Sequence, residues 1–141
     1  MRVMVIVKAS KESEAGILPS KEILGAMGTF NEELVKAGVF LAAEGLHASS
    51  KGKRVRFSDG KSTVIDGPFT ETKELIAGFW LWKVKSMEEA VEWLKRSPFG
   101  GDTEVEIRKV FEVEEFGANM TPELKQQEDR IRAKLASRKL A

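Results

Sequence analysis

The chain has no cysteine and a single histidine, His47, among its 141 residues. The lack of cysteine excludes disulfides, thiolate metal sites and a thiol nucleophile. With no second histidine and no cysteine to complete a ligand set, a metal site is not expected. No glycine-rich phosphate loop follows a strand, and no serine occupies a nucleophile elbow. We therefore predict a protein with no metal and no cofactor.

The sequence also lacks an excess of one charge and any long apolar run. Lysine and arginine number 23 and aspartate and glutamate 22, so no overall field favours nucleic acid or an anionic membrane. No apolar stretch reaches membrane-spanning length. The run at residues 3–7 is too short for a signal peptide and is followed directly by Lys8. We predict a cytoplasmic protein without nucleic-acid or membrane partners.

The apolar pattern predicts one α+β domain at residues 1–115. Candidate strands lie at residues 2–8, 39–43, 76–84 and 105–113, and candidate helices follow the capping residues Ser20 and Ser86. Asp59-Gly60 is a two-residue turn signal, which predicts an inserted β-hairpin. Without the hairpin the order is β-α-β-β-α-β, a ferredoxin-like fold with both helices on one face of the sheet.

The strand at residues 76–84 is apolar on both faces. Phe79 and Leu81 point one way, and Trp80, Trp82 and Val84 point the other. The helices can cover only one face, and soluble monomers rarely expose a large apolar patch. We expect a second protomer to cover the tryptophan face, and we predict a homodimer.

Residues 116–141 form a predicted helical extension. Thr121-Pro122-Glu123 is a strong helix start. The helix carries a narrow apolar stripe of Leu124, Ile131 and Leu135. From Glu123 onward there are six basic and three acidic residues, and the interleaved signs favour a solvated face over nucleic-acid binding. We expect this helix to pack on the dimer or to project from it.

Two polar segments carry the candidate catalytic residues, His47 and Asp66. Glu44-Gly45-Leu46-His47 holds the only imidazole of the chain, and imidazole is the side chain most often used as a general acid or base. Asp66-Gly67-Pro68-Phe69 is a fixed turn with a carboxylate at its entrance. Asp66 or Glu44 could fix the tautomer of His47. The alternatives are an exposed loop histidine and an aspartate that only initiates a turn.

The candidate ligand-binding residues are Glu44, Glu71, Lys73 and Arg108. Glu71 and Lys73 form either a polar rim beside the turn or ordinary surface charges. Arg108 faces away from Val105 and Ile107, and we assign Arg108 to the Trp82 side of the sheet. It could bind an anionic ligand or pair with Glu106 across the dimer, and we favour the pair.

Several segments together resemble the DGPF branch of the YciI-like proteins over residues 1–113. They are Glu44-Gly45-Leu46-His47, Asp59-Gly60-Lys61, Asp66-Gly67-Pro68-Phe69-Thr70-Glu71-Thr72-Lys73-Glu74, Gly78-Phe79 and Val105-Glu106-Ile107-Arg108. The resemblance implies a dimeric α+β barrel. It also implies association with extracytoplasmic-function sigma factors, whose genes often accompany this branch.

Some YciI-like relatives are enzymes acting on small aromatic or lactone-like compounds through a His–Asp pair. Their histidine lies on the first helix, where this chain has Met27, Phe30 and Asn31. We expect a homodimer with a small-molecule pocket near residues 44–47 and 66–73, serving isomerase or lyase chemistry or ligand binding. The alternative is an interaction or ligand-sensing module that acts with a sigma factor.

Overall fold

The computed structural model describes residues 1–138. The described part contains six β-strands, four α-helices and three short 3-10 turns. The strands are β1 Arg2–Lys8, β2 Phe40–Gly45, β3 Lys53–Ser58, β4 Lys61–Asp66, β5 Ile76–Lys83 and β6 Val105–Lys109. The helices are α1 Lys11–Glu14, α2 Lys21–Lys36, α3 Met87–Lys95 and α4 Pro122–Arg138. The 3-10 turns span Ser49–Lys51, Thr72–Glu74 and Val113–Asn119.

The main sheet has the strand order β2-β5-β1-β6, and each neighbouring pair is antiparallel. α2 connects β1 to β2, and α3 connects β5 to β6. This connectivity is the β-α-β-β-α-β arrangement, with the β3–β4 hairpin inserted between β2 and β5. The structure therefore confirms the predicted ferredoxin-like α+β fold with a C-terminal helix.

The core lies between the sheet and helices α2 and α3. Phe30 and Leu34 of α2 and Ala90 of α3 pack with the strand residues that point toward them. The Phe30 ring meets Trp80 and Trp82 edge-on, with ring centroids 6.0 and 6.3 Å apart. The indole N–H of Trp80 donates to Asn31 Oδ1 at 2.9 Å. These contacts fix the two tryptophans beneath the helices.

The prediction that a second protomer covers the tryptophan face is wrong. Trp82 is fully buried and Trp80 is 4% exposed within the single chain. Residue alternation separates the two faces of β5 but does not say which one the helices cover. The helices cover the indoles, which leaves Phe79 and Leu81 on the other face, opposite Ile6 and Met4 of β1. We call this surface the open face of the sheet.

The β3–β4 hairpin turns at Asp59 and Gly60, as predicted. Both residues have positive φ, 52° and 73°, which a two-residue hairpin turn of this type requires. The register pairs Lys53 with Asp66 at the end of the hairpin nearest the rest of the domain. The hairpin thus brings Asp66, the first residue of the candidate turn, next to the residues that precede β3.

Two local features differ from the sequence-based expectation. Residues 11–14 lie outside the predicted strands and helices, yet they form the short helix α1. Ser10 and Ser13 stabilise its start by reciprocal hydrogen bonds, because each side chain accepts the other's backbone N–H. The last strand ends at Lys109 and does not continue to Val113; Phe111 is 65% exposed and stacks on Phe116.

Of the described residues, 110–138 belong to a second compact unit, distinct from Met1–Lys109. In it, Thr121 caps α4 by accepting the N–H of Leu124 at 3.3 Å, as the sequence predicts. The stripe of Leu124, Ile131 and Leu135 is 45–48% exposed. Residues 139–141 of the predicted extension lie outside the described residues. Within residues 1–138, no helix combines the length and apolarity needed to cross a bilayer.

Candidate functional site

The turn that begins at Asp66 packs directly against the 3-10 turn Ser49–Lys51. The Gly67 N–H donates to the carbonyl oxygen of Gly52 at 3.0 Å. A Cβ on Gly67 would lie 1.8 Å from the carbonyl oxygen of Ser49, so only glycine allows this approach. The Gly67–Pro68 peptide bond is cis. The loop after β4 and the segment after β2 are therefore built as one unit.

Ser49 is the centre of a hydrogen-bond cluster that joins three parts of the domain. Its Oγ accepts the Phe69 N–H at 3.0 Å. Its own N–H donates to Glu14 Oε1 at 2.9 Å, and its hydroxyl donates to Glu14 Oε2 at 2.5 Å. The hydroxyl hydrogen bond, followed by the backbone one, lowers the pKa of Glu14 below its ordinary value, against a smaller opposing effect of burial. Glu14 is thus an ionised acceptor that holds Ser49.

A cleft of about 460 Å³ opens beside this cluster. We call it the His47 cleft. Its lining includes His47, Leu46, Lys51, Arg54, Phe69 and Ile76. Lys53 and Glu14 also line it, so the cleft combines an imidazole, three cations, one carboxylate and apolar side chains in one concave surface. Convergent polar groups beside apolar side chains are typical of a small-molecule site.

Charges around the His47 cleft differ in how far they are neutralised. Lys53 Nζ lies 2.5 Å from Asp66 Oδ1, and both side chains are largely exposed. The guanidinium of Arg54 lies over the Phe69 ring, 3.8 Å from its centroid. Within residues 1–138, neither Arg54 nor Lys51 has a carboxylate partner. The cleft therefore has a surplus of positive charge.

The two predicted catalytic residues, His47 and Asp66, have different surroundings. His47 is exposed in the loop after β2 and lines the cleft, and its imidazole has no hydrogen bond or ion pair within residues 1–138. Asp66 is exposed at the end of β4 and pairs with Lys53. No hydrogen bond joins the two within the described residues, and Glu44 does not contact His47 in that way either.

Glu44 and Arg108 lie on the open face of the sheet, outside the His47 cleft. Glu44 stands opposite Phe79 in the register of β2 and β5. Arg108 stands opposite Met4, so the prediction that it shares a face with Trp82 is wrong. The sequence-based assignment placed the tryptophans on the face away from the helices, whereas the helices cover them and Arg108 lies on the other face. Arg108 Nε lies 3.7 Å from Glu106 Oε2 of its own chain.

Lys73 lies in the 3-10 turn Thr72–Glu74, and Glu71 directly precedes this turn. Both side chains are exposed. Lys73 lines a second, larger cleft of about 710 Å³ at the end of β1. That cleft has an apolar floor that includes Val7 and Phe99, and its rim carries acidic as well as basic side chains. Of the predicted site residues, His47 thus lines the His47 cleft and Lys73 the second cleft, while Glu44 and Arg108 lie on the open face. Asp66 and Glu71 line neither cleft.

Three residues of the cluster were not predicted from the sequence, namely Glu14, Ser49 and Arg54. Glu14 lies on a helix that the sequence did not predict, and Ser49 lies in a segment rich in serine and lysine. A usable signal was the proximity of Ser49 and Arg54 to His47 along the chain, since both lie within seven residues of it. Their contacts with Phe69 depend on the tertiary fold.

A model of the YCII-related domain matches residues 1–114. This chain belongs to the YCII-related family. The match confirms the resemblance to YciI-like proteins, and it spans the Met1–Lys109 unit that contains both clefts. Within residues 1–138, this YCII-related protein has no group of three or more histidine, cysteine, aspartate or glutamate side chains that could hold a metal ion.

Two known proteins are similar to this YCII-related chain. An uncharacterised protein of Rhizobium meliloti strain 1021 is 29% identical over 75 residues, which are 53% of this chain and 60% of that protein. The solved structure of a 5-chloro-2-hydroxyhydroquinone dehydrochlorinase from Burkholderia phenoliruptrix, bound to 2,5-dihydroxybenzoquinone, covers 79% of this chain and 96% of its own. The two chains share 17% sequence identity, and the TM-score is 0.42. A similarity of this size does not allow the reaction of that enzyme to be assigned to this chain.

Proposed function

We propose that this YCII-related protein binds a small organic molecule in the His47 cleft, where His47 serves as acid or base in a reaction of the isomerase or lyase type. The observation that supports the proposal is the position of His47. The single imidazole of the chain lines a cleft and has no partner among the described residues, so both ring nitrogens are available to a ligand.

Ser49 has a structural part in this proposal. Its hydroxyl donates to Glu14 and accepts the Phe69 N–H, so both functions of the oxygen are already used. Within residues 1–138, the only base beside it is the Glu14 carboxylate, and the hydrogen bonds that lower the pKa of Glu14 make it a weak proton acceptor that is poorly suited to activating a serine nucleophile. His47 is therefore the candidate for proton transfer in the cleft.

The single histidine provides a direct test. Imidazole signals in an NMR spectrum of the full chain belong to His47 alone, and a panel of small metabolites can be screened for those that shift them. A ligand found in this way should stabilise the protein against heat, and the stabilisation should be lost in His47→Ala. Ser50→Ala, an exposed change outside the cleft lining, is the matched control. A panel in which no compound shifts the His47 signals would contradict the proposal.

We further propose that the protein is a homodimer that buries the open face of the sheet. Met4, Ile6, Phe79 and Leu81 form a continuous apolar centre there by register, and none of them is fully buried in the single chain. Glu106 lies on the same face and contacts both Lys8 and Arg108. A surface with an apolar centre and charges of both signs is suited to a two-fold contact with its own copy.

A second candidate function is supported by α4. Its apolar stripe is 45–48% exposed, as an interaction module would require. In this proposal the stripe binds an extracytoplasmic-function sigma factor, which would place the protein in the cytoplasm. Calorimetry with a purified sigma factor of this class tests it, and Ile131→Asp should abolish binding. Gln126→Asp, on the opposite side of the helix, should not.

A further inference from the structure

Arg54 is a cation of the His47 cleft that is held in place without being neutralised. Its guanidinium stacks on the Phe69 ring, 3.8 Å from the centroid, and no carboxylate of residues 1–138 pairs with it. Its side-chain N–H groups donate to no residue within 1–138. A guanidinium presents these donors in a fork geometry that fits a carboxylate or phosphate group.

The ring below Arg54 is also held in place. The Phe69 N–H donates to Ser49, and Ser49 donates to both oxygens of Glu14. The backbone just before Phe69 cannot shift toward Ser49, because Gly67 already lies against the Ser49 carbonyl. Since the platform is fixed by the fold, Arg54 loses little conformational freedom when an anion binds.

The other side chains of the cleft indicate the class of ligand. The carboxylate of Glu14 is already used as an acceptor by Ser49, while Lys51 has no partner within residues 1–138. Leu46 and Ile76 line the same cleft and are 47% and 37% exposed. A molecule that complements this surface carries one anionic group and an apolar body.

We propose that the ligand of the His47 cleft is a small organic anion, a carboxylate or a phosphate ester with an apolar body, and that Arg54 binds its anionic group. This inference rests on the proposed function of the cleft. Glu14 and Ser49 are positioning residues in it, because they act on the ligand only through Phe69 and Arg54. Lys51 adds charge at the rim.

The test uses the full chain and three probes of similar size: benzoate, phenyl phosphate and the uncharged benzamide. Binding is read from the His47 imidazole signals. At least one of the two anions should bind saturably and about 10-fold or more tightly than benzamide. The anion that binds more tightly, benzoate or phenyl phosphate, shows whether the anionic group of the ligand is a carboxylate or a phosphate ester.

Substitutions at Arg54 separate its role from that of the cleft as a whole. Arg54→Gln should weaken the preferred anion about 10- to 100-fold and leave benzamide unchanged. Arg54→Lys should restore little, because lysine lacks the planar fork. Arg56→Gln, on the same strand but outside the cleft lining, is the control and should bind like the unaltered protein. Ser49→Ala should weaken the anion but not benzamide, whereas a purely structural defect would weaken both.

The possible failures are distinguishable. Equal anion affinity in Arg54→Gln and the unaltered protein would overturn the role of Arg54, and benzamide binding as tightly as the anions would overturn the ligand class. A His47 signal that responds to compounds of the broad metabolite panel but to none of the anions would also overturn the inference. In each of these cases the proposed function would stand, since it fails only if no compound shifts the His47 signal.

Discussion

Gly67 and Ser49 are in backbone contact, and a Cβ on Gly67 would lie 1.8 Å from the Ser49 carbonyl oxygen. The contact joins the turn after β4 to the segment after β2, which carries His47. The contact explains why residue 67 is a glycine, because a side chain at this position would collide with the Ser49 backbone. The His47 cleft depends on it, because Phe69 and Ser49 both lie in the cleft wall.

Gly67→Ala should therefore destabilise the protein by about 1–3 kcal/mol, since the backbone must move to admit the methyl group. Urea unfolding followed by tryptophan fluorescence measures the change. Gly25→Ala is the matched control, because open space surrounds the position of a Cβ in the middle of α2. It should stabilise the protein by up to about 1 kcal/mol. Equal stability of the two variants would show that the turn tolerates a side chain.

Glu14 should contribute stability that depends on pH. Hydrogen bonds from Ser49 lower its pKa in the folded protein below the ordinary value of 4.5, so the unfolded carboxyl binds its proton more readily. The contribution of Glu14 is then present above the ordinary pKa and is lost as the pH falls through the lower pKa of the folded state. Urea unfolding of Glu14→Gln should differ from the unaltered protein at about pH 7 and much less at about pH 3.

Glu12→Gln is the control for this effect. Glu12 lies on the same short helix and has no bond to another side chain within residues 1–138. Its removal should change stability little and to the same extent at both pH values. A loss of stability in Glu14→Gln that is as large in acid as at neutral pH would argue against the ionised hydrogen bond to Ser49.

The two core tryptophans should respond differently to loss of the indole N–H. Trp80 donates to Asn31, whereas the buried Nε1 of Trp82 has no hydrogen-bond partner among the described residues. Trp80→Phe should cost about 1 kcal/mol more than Trp82→Phe, because it leaves the Asn31 oxygen without its donor. The check is to introduce Asn31→Leu into Trp80→Phe and into Trp82→Phe and to measure the free energy of unfolding in urea. The loss of stability caused by Asn31→Leu should be smaller in Trp80→Phe, where the hydrogen bond is already absent, and should remain in Trp82→Phe.

The fold was predictable from the sequence because its signals are local. Apolar alternation marks strands, capping residues such as Ser20 and Ser86 mark helix starts, and Asp59-Gly60 marks the hairpin. The covered face of β5 was not predictable in this way, since alternation treats Phe79 and Trp80 symmetrically. Only the tertiary contact of Phe30 with the indoles distinguishes the two faces.

The candidate site was predictable only in part, for a similar reason. His47 and the Asp66 turn stand out as unusual residue combinations, and the segments that carry them do contribute to one cleft. The bonds that organise the cleft link residues 20 to 35 positions apart, from Ser49 to Phe69 and to Glu14. Serine and glutamate at such separations give no pattern in a single sequence, so these roles emerge only from the three-dimensional arrangement.

The proposed homodimer predicts opposite outcomes for charges placed on the two faces of β5. Leu81→Glu introduces a carboxylate at the centre of the open face, which should give a folded monomer because burying an unpaired charge in the interface is costly. Trp82→Glu should instead unfold the chain, since Trp82 is fully buried within one protomer. Light scattering after size exclusion gives the mass, and circular dichroism reports folding.

Val55→Glu, an equally drastic change at an exposed hairpin position, is the control, and this variant should retain the mass of a dimer. A mass of one chain for the unaltered protein, or a dimer that persists in Leu81→Glu, would contradict the proposed contact.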